Sequence, residues 1–283
     1  MRWDQALVLT VLLVTFSLWA RRRDDPRLRT AAAFAAETAL VCFLYMLWRL
    51  ARFLPLTQEE GAVDRGRAIW DLQQALRFPS ELALELAVAP HEWAARLVNG
   101  YYAIAHVPAV IICLVWLYVR HPDVYPRWRN ALAIVTAFCL FIRYVRVAPP
   151  RLVPDLGFFD LAAAYDQSVY GAVGTGVSDQ YAAMPSIHCA WALLVAWAVI
   201  EASPSKWRWL VIVHPVLTIF VVVASANHWW LDAIVAAVLL ELALLCDTWG
   251  RRASTKLGVG RTWPRRFDRQ LAEAGPTAEH VRS

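Results

Sequence analysis

Three short clusters carry the residue types that could do chemistry. Pro185-Ser186-Ile187-His188 stands at the threshold of an apolar run with no charge before Glu201, and His228-Trp229-Trp230-Leu231-Asp232 follows about 40 residues later. A spacing of four puts His228 and Asp232 on one face of a helix. The carboxylate can then accept the Nδ1 proton, fix the tautomer and leave Nε2 as a nucleophile. His188, on another helix, can protonate a leaving oxygen. Ser186 and the amides around Pro185 lie at a helix N-terminus, which favours an anion. Pro185 suits a first-turn position, and His228 also starts a helix. The third cluster, Arg143 to Asp155, holds Arg151, whose fork matches phosphate oxygens. Asn227 either caps the last helix or orients the phosphate. Together these residues describe phosphoryl transfer through a phosphohistidine. Each has an ordinary reading alone, as cap, interior histidine or headgroup contact; the joint pattern is what points to a site.

These clusters need elements that bring them to one place. The chain has 283 residues, 59% of them hydrophobic, and a mean hydropathy of +0.42. Runs of about 20 apolar residues recur, the length that spans a hydrocarbon core. The expected fold is an all-α polytopic transmembrane bundle of about seven spans, near 5–20, 31–54, 101–119, 130–148, 186–202, 208–226 and 229–248. A six-helix catalytic core is preceded by an extra helix. No small-residue cleavage site follows the first run, and Arg21-Arg22-Arg23 does, so it reads as an uncleaved helix. The expected domains are 1–30 (extra helix and basic link), 31–250 (membrane-embedded catalytic domain) and 251–283 (basic cytoplasmic tail).

The formal charge of +5 does not indicate nucleic acid, because the arginines cluster at the ends of apolar segments. With basic links placed inside, the N-terminus lies outside and the C-terminus in the cytoplasm. All three clusters then reach the extracytoplasmic face of a cell membrane. Ionisable residues converging at a bilayer edge mark a functional site. Residues 57–98 read as two amphipathic helices in the outer interface, with Ile69, Leu72 and Leu76 on one face and Leu82, Leu86 and Trp93 on another. Trp229 and Trp230 read as interface anchors, His106 as a buried hydrogen-bonded histidine, and His214 as the partner of a carbonyl freed by Pro215. Tyr165, Asp166 and Asp179, in the long outer loop, are candidates for shaping an acceptor site. The five cysteines lie in apolar segments without a CxxC pair and act as small hydrophobes. No cofactor and no metal is called for. Two readings outside phosphoryl chemistry remain: a zinc hydrolase using His188, His228 and Asp232, and a transporter, which predicts internal repeats that the sequence lacks.

The motifs resemble those of the type 2 phosphatidic acid phosphatase superfamily, a basic motif followed by PSxH and HxxxD. Pro185 to His188 matches the second motif and His228 to Asp232 the core of the third. The resemblance implies His228 as nucleophile, Asp232 as its orienter and His188 as acid on the leaving group. It also places Arg151 and Ser186 at the phosphate. Two of the superfamily's cations are replaced: Tyr144 stands at the lysine of the first motif and Val222 at the arginine of the third, with Arg143 or Arg146 as a substitute. Tyr144 and Arg146 are accordingly carried as phosphate-site candidates. The stretch Ala148-Pro149-Pro150-Arg151, the arginine-free third motif and Asn99 to Val110 resemble an inositolphosphotransferase-like bacterial branch, related to inositol phosphorylceramide synthases. That likeness implies transfer of an inositol phosphate-like headgroup from a donor phospholipid to a lipid or polyol acceptor. The alternative with the same site is a phosphatase acting on a phosphatidate- or prenyl-phosphate-type lipid.

Overall fold

A computed structural model describes residues 2–51, 61–167 and 180–256. The described residues are helical, with one isolated bridge (Val147 to Ala182) and no strand among them. In chain order the helices are α1 (Trp3–Arg21), α2 (Pro26–Ala51), α3 (Ala62–Ala75), α4 (Glu81–Val88), α5 (Glu92–Ile104), α6 (His106–Arg120), α7 (Tyr125–Ile142), α8 (Leu161–Ala164), α9 (Ile187–Ala202), α10 (Val213–Ala224) and α11 (Trp230–Lys256). A 3₁₀ turn at Pro150–Leu152 holds Arg151, and another, Lys206–Ile212, leads into α10. The chain is an all-α, multi-pass membrane protein.

Each expected span falls on helix, with shifted boundaries. Among the described residues three helices are long and apolar enough to cross a membrane by themselves: Trp3–Arg21, Pro26–Leu47 and Lys206–Ala224. α5 and α6 qualify only together and bend by 47° at their junction. The expected span 101–119 is therefore two helices. The remaining expected spans lie on α7, α9 and α11. α9 has only 16 residues, and α11 intersperses Asp232, Glu241 and Asp247 among its apolar positions.

Residues 1–244 form one unit, centred on α9, which packs against α6, α7 and α10. α9 carries apolar residues on all its faces, as a largely enclosed helix does, with Trp197 and Glu201 exposed. Cys189, Ala190, Leu194 and Ala198 are buried beside Trp128, Val135, Val221 and Leu240. Residues 245–283 form a second unit; in its described part Asp247 and Arg251 pair at 2.7 Å, one turn apart. Most of the expected basic tail (257–283) and Asp179 lie outside the described residues.

α3 and α4 bury polar residues among small and apolar ones. Ala62, Gly66 and Gln73 on α3 are buried, as are Glu81, Glu85 and Val88 on α4, while Leu72, Leu76 and Leu86 are exposed. Both buried sets follow the helical repeat. The leucines at 72, 76 and 86 therefore point outward, as they would in a membrane interface, while Ile69 and Leu82 are half-buried and Gln73, Glu81 and Glu85 turn into the protein beside small and apolar residues. Gly66 permits the close approach of α3 to the Arg151 loop. A Cβ there would lie 2.8 Å from the Ala148 carbonyl oxygen and 2.9 Å from Val153.

Candidate active site

The three clusters meet although they are distant in sequence. Across the isolated bridge the Val147 N–H donates to the Tyr181 carbonyl at 2.8 Å and the Ala183 N–H to the Val147 carbonyl at 3.2 Å, and the Arg151 N–H donates to the Ala226 carbonyl at 3.2 Å. α10 stops at Ala224, and Ala226, at φ 51°, reverses the chain. The Ala226 and Asn227 amides close back onto Val223 and Val222, a helix-ending arrangement usually built on glycine. This reversal delivers His228 two residues before α11 starts, so His228 lies outside the helix that was expected to begin with it.

His228 is buried, and its Nδ1 lies 2.6 Å from the Ala183 carbonyl oxygen and 3.1 Å from Asp232 Oδ2. A carbonyl can only accept, so Nδ1 carries the proton and donates to both oxygens. Nε2 is left with its lone pair. Asp232 occupies the third position of α11, and its Oδ2 also accepts the Trp229 N–H at 2.9 Å. One carboxylate thus caps the helix and orients the imidazole. The expected partner of Nδ1 is present; the Ala183 carbonyl, from the stretch before Pro185, is a second one that the spacing does not reveal.

His188 lies in the first turn of α9, its ring centroid 5.7 Å from that of His228. Ser186 caps α9, its Oγ accepting the Cys189 N–H at 3.3 Å. Pro185 lies one residue before this cap rather than in the first turn. His188 also packs against aromatic rings, Tyr102 at 4.6 Å and His106 at 4.5 Å between centroids, and Tyr102 lies 6.5 Å from the His228 ring. His106 is buried, as read from sequence, but its place against His188 is not legible there. His214 Nδ1 is bonded to the Tyr101 hydroxyl at 2.7 Å, which supplies the partner that Pro215 was expected to provide.

The Arg151 guanidinium is only 2% exposed. Its Nε donates to Asn227 Oδ1 at 3.0 Å, and one terminal nitrogen donates to Asp160 Oδ2 at 2.9 Å and Gln180 Oε1 at 3.3 Å. Asn227 anchors itself through its amide to the Ser225 hydroxyl at 2.9 Å. It therefore places the arginine directly. Asp160 also caps α8. Sequence reasoning missed Asp160 and Gln180; the signal for Asp160 was its position just before the short apolar run of α8. Tyr144 is exposed and packs on Phe141, while Arg146 is tied to α3 through its carbonyl, which accepts from Arg65 at 2.6 Å. The described contacts connect neither side chain to the two imidazoles.

Trp229 is wholly buried rather than an interface anchor. Its indole donates to the Ala148 carbonyl at 3.0 Å and packs against Trp70 and Phe158, joining HxxxD to the Arg151 loop. α3 and α4 close this side. Gln73 accepts the Leu231 N–H at 2.9 Å and donates to Glu81. Burial pushes the Glu81 carboxyl above its ordinary range, with the charge of Asp232 adding to the rise. Burial likewise raises Glu85, to about 7, reinforced by Asp160. Among the described residues no three His, Cys, Asp or Glu side chains are grouped as for a metal ion.

The arrangement offers a nucleophilic nitrogen with a fixed tautomer, an imidazole beside it and a buried guanidinium on the adjoining loop. Comparison with known families gives one match: the sequence model of the PAP2 superfamily covers residues 67–246, more than half of the chain and all three clusters. No curated protein and no solved structure matches significantly. The chain belongs to the PAP2 superfamily and is a membrane enzyme of the phosphatase type.

Proposed function

We propose that the protein is a membrane phosphotransferase that moves a phospho-headgroup, inositol phosphate-like, from a donor phospholipid to a lipid or polyol acceptor. The observation that carries this reading is the double anchoring of His228 Nδ1 beside His188. His228 Nε2 attacks phosphorus, the phosphorus–oxygen bond to the diacylglycerol breaks, and its electron pair leaves on that oxygen. His188 supplies the proton. His188 then takes a proton from the acceptor hydroxyl, whose oxygen displaces His228 and restores the imidazole. Arg151 and the Ser186 end of α9 balance charge on the phosphoryl oxygens.

The choice of a phosphodiester rests on the cations. A phosphomonoester carries more charge, whereas here Tyr144 and Val222 replace two cations and Arg151 is already paired with Asp160. The site is read as extracytoplasmic in the plasma membrane, with the C-terminus in the cytoplasm, from the basic links. Purified enzyme in mixed vesicles, given labelled phosphatidylinositol and a polyol, should form diacylglycerol and a labelled phosphodiester joining inositol to the polyol. Release of free phosphate from phosphatidic acid, with no transfer from phosphatidylinositol, would favour the phosphatase instead.

A further inference from the structure

The helix that carries Asp232 takes no side-chain cap from the residue before it; its own Asp232 carboxylate reaches back to the Trp229 N–H at 2.9 Å. Trp229 precedes its first residue, and an indole can donate a hydrogen bond but not accept one. The first amides of any helix lack partners within it. In α11 the Asp232 N–H turns back to the Trp229 carbonyl at 3.1 Å, and the Leu231 N–H donates to Gln73 Oε1 at 2.9 Å. The Gln73 amide nitrogen donates in turn to Glu81 Oε1. The Trp230 indole closes the contact on the Pro79 carbonyl at 2.8 Å. Gln73 and Glu81 are both wholly buried. Burying a glutamine and a carboxyl group is costly unless both find partners, and a helix pair that only rested in a membrane interface would have no need of them.

The geometry points to Gln73 and Glu81 as positioning residues that cap α11 from outside and fix Asp232, and through it His228, for attack on phosphorus. This rests on the reading of His228 as nucleophile. Neither residue touches the reacting atoms; each acts through the first turn of α11. The same helix pair also holds the Arg151 loop, since Ala148 N–H donates to the Ala62 carbonyl and Arg67 to the Pro154 carbonyl at 2.9 Å each. One scaffold therefore spaces the nucleophile and the phosphate-binding arginine.

The test compares Gln73→Leu, Gln73→Asn, Glu81→Leu and Glu81→Gln with the wild type, measuring kcat, KM and the rate at which label enters His228. A displacement of about 1 Å at a reacting group can cost up to about 100-fold. Gln73→Leu and Glu81→Leu should each lower kcat and the labelling rate by about 10- to 100-fold, with KM within about twofold. Glu81→Gln keeps an oxygen acceptor and should recover most of that loss. Gln73→Asn keeps the polarity but falls short of the Leu231 amide, and it should lose rate while melting close to wild type. That variant decides the matter if the leucine variants fail to fold. Wild-type labelling rates in Gln73→Asn, or a loss confined to KM, would overturn the positioning role. Absence of label from His228 in the turning-over wild type would instead overturn the phosphohistidine reading on which it rests.

Discussion

At the scale of single residues, the site separates three duties that activity can resolve. His228→Ala removes the proposed attacking nitrogen and should reduce turnover to background with every substrate. His188→Ala removes only the proton donor, so substrates with good leaving groups should retain most of their rate. Lipid alkoxide leaving groups should lose about 10²–10⁴-fold. A loss independent of the leaving group would exclude His188 as the acid. Asp160 and Asn227 act through Arg151, to which both are bonded. Asn227→Ala frees the guanidinium to swing, so it should weaken phosphate binding and raise KM more than it lowers kcat. Arg151→Lys keeps the charge but not the fork, and should do the same more strongly.

At the scale of elements, the α3–α4 pair offers two tests of stability. Glu85 is wholly buried, with a pKa raised to about 7 against an ordinary 4.5. Its protonated form is the one the fold prefers. The stabilisation this gives is complete below pH 4.5 and is lost as the pH rises through about 7. Melting temperature should therefore fall between about pH 4.5 and pH 7, and Glu85→Gln should flatten that dependence. An unchanged slope in the variant would place the titration elsewhere. Gly66→Ala drives a Cβ against the Ala148 carbonyl and Val153. Overpacking of this kind costs about 1–3 kcal/mol, measurable by thermal or denaturant unfolding.

At the scale of the whole molecule, the helical class and the convergence of the three clusters were legible because apolar run length and the HxxxD spacing are local signals. Proximity created by tertiary packing was not. Gln73 looked like an ordinary polar residue beside Leu72, and Asp160 like a loop residue, since only the fold shows which face of α3 turns inward. Trp229 was read as an anchor because its buried carbonyl partner lies 81 positions away. The break between α5 and α6 was equally hidden, because a continuous apolar run carries no mark of a 47° bend. Membrane orientation can be checked with cysteines placed in the Arg21–Asp25 link. They should react with an impermeant thiol reagent only after the inner face is exposed; reaction from outside would reverse the assignment. The central claim is that a phospho-headgroup passes through His228, and the most direct measurement is a rapid acid-free quench of turning-over enzyme followed by peptide mass spectrometry. The predicted result is a phosphorus-bearing adduct on His228, absent in His228→Ala, that disappears when acceptor is added. Full turnover in His228→Ala, or transfer with the adduct on any other residue, would contradict it.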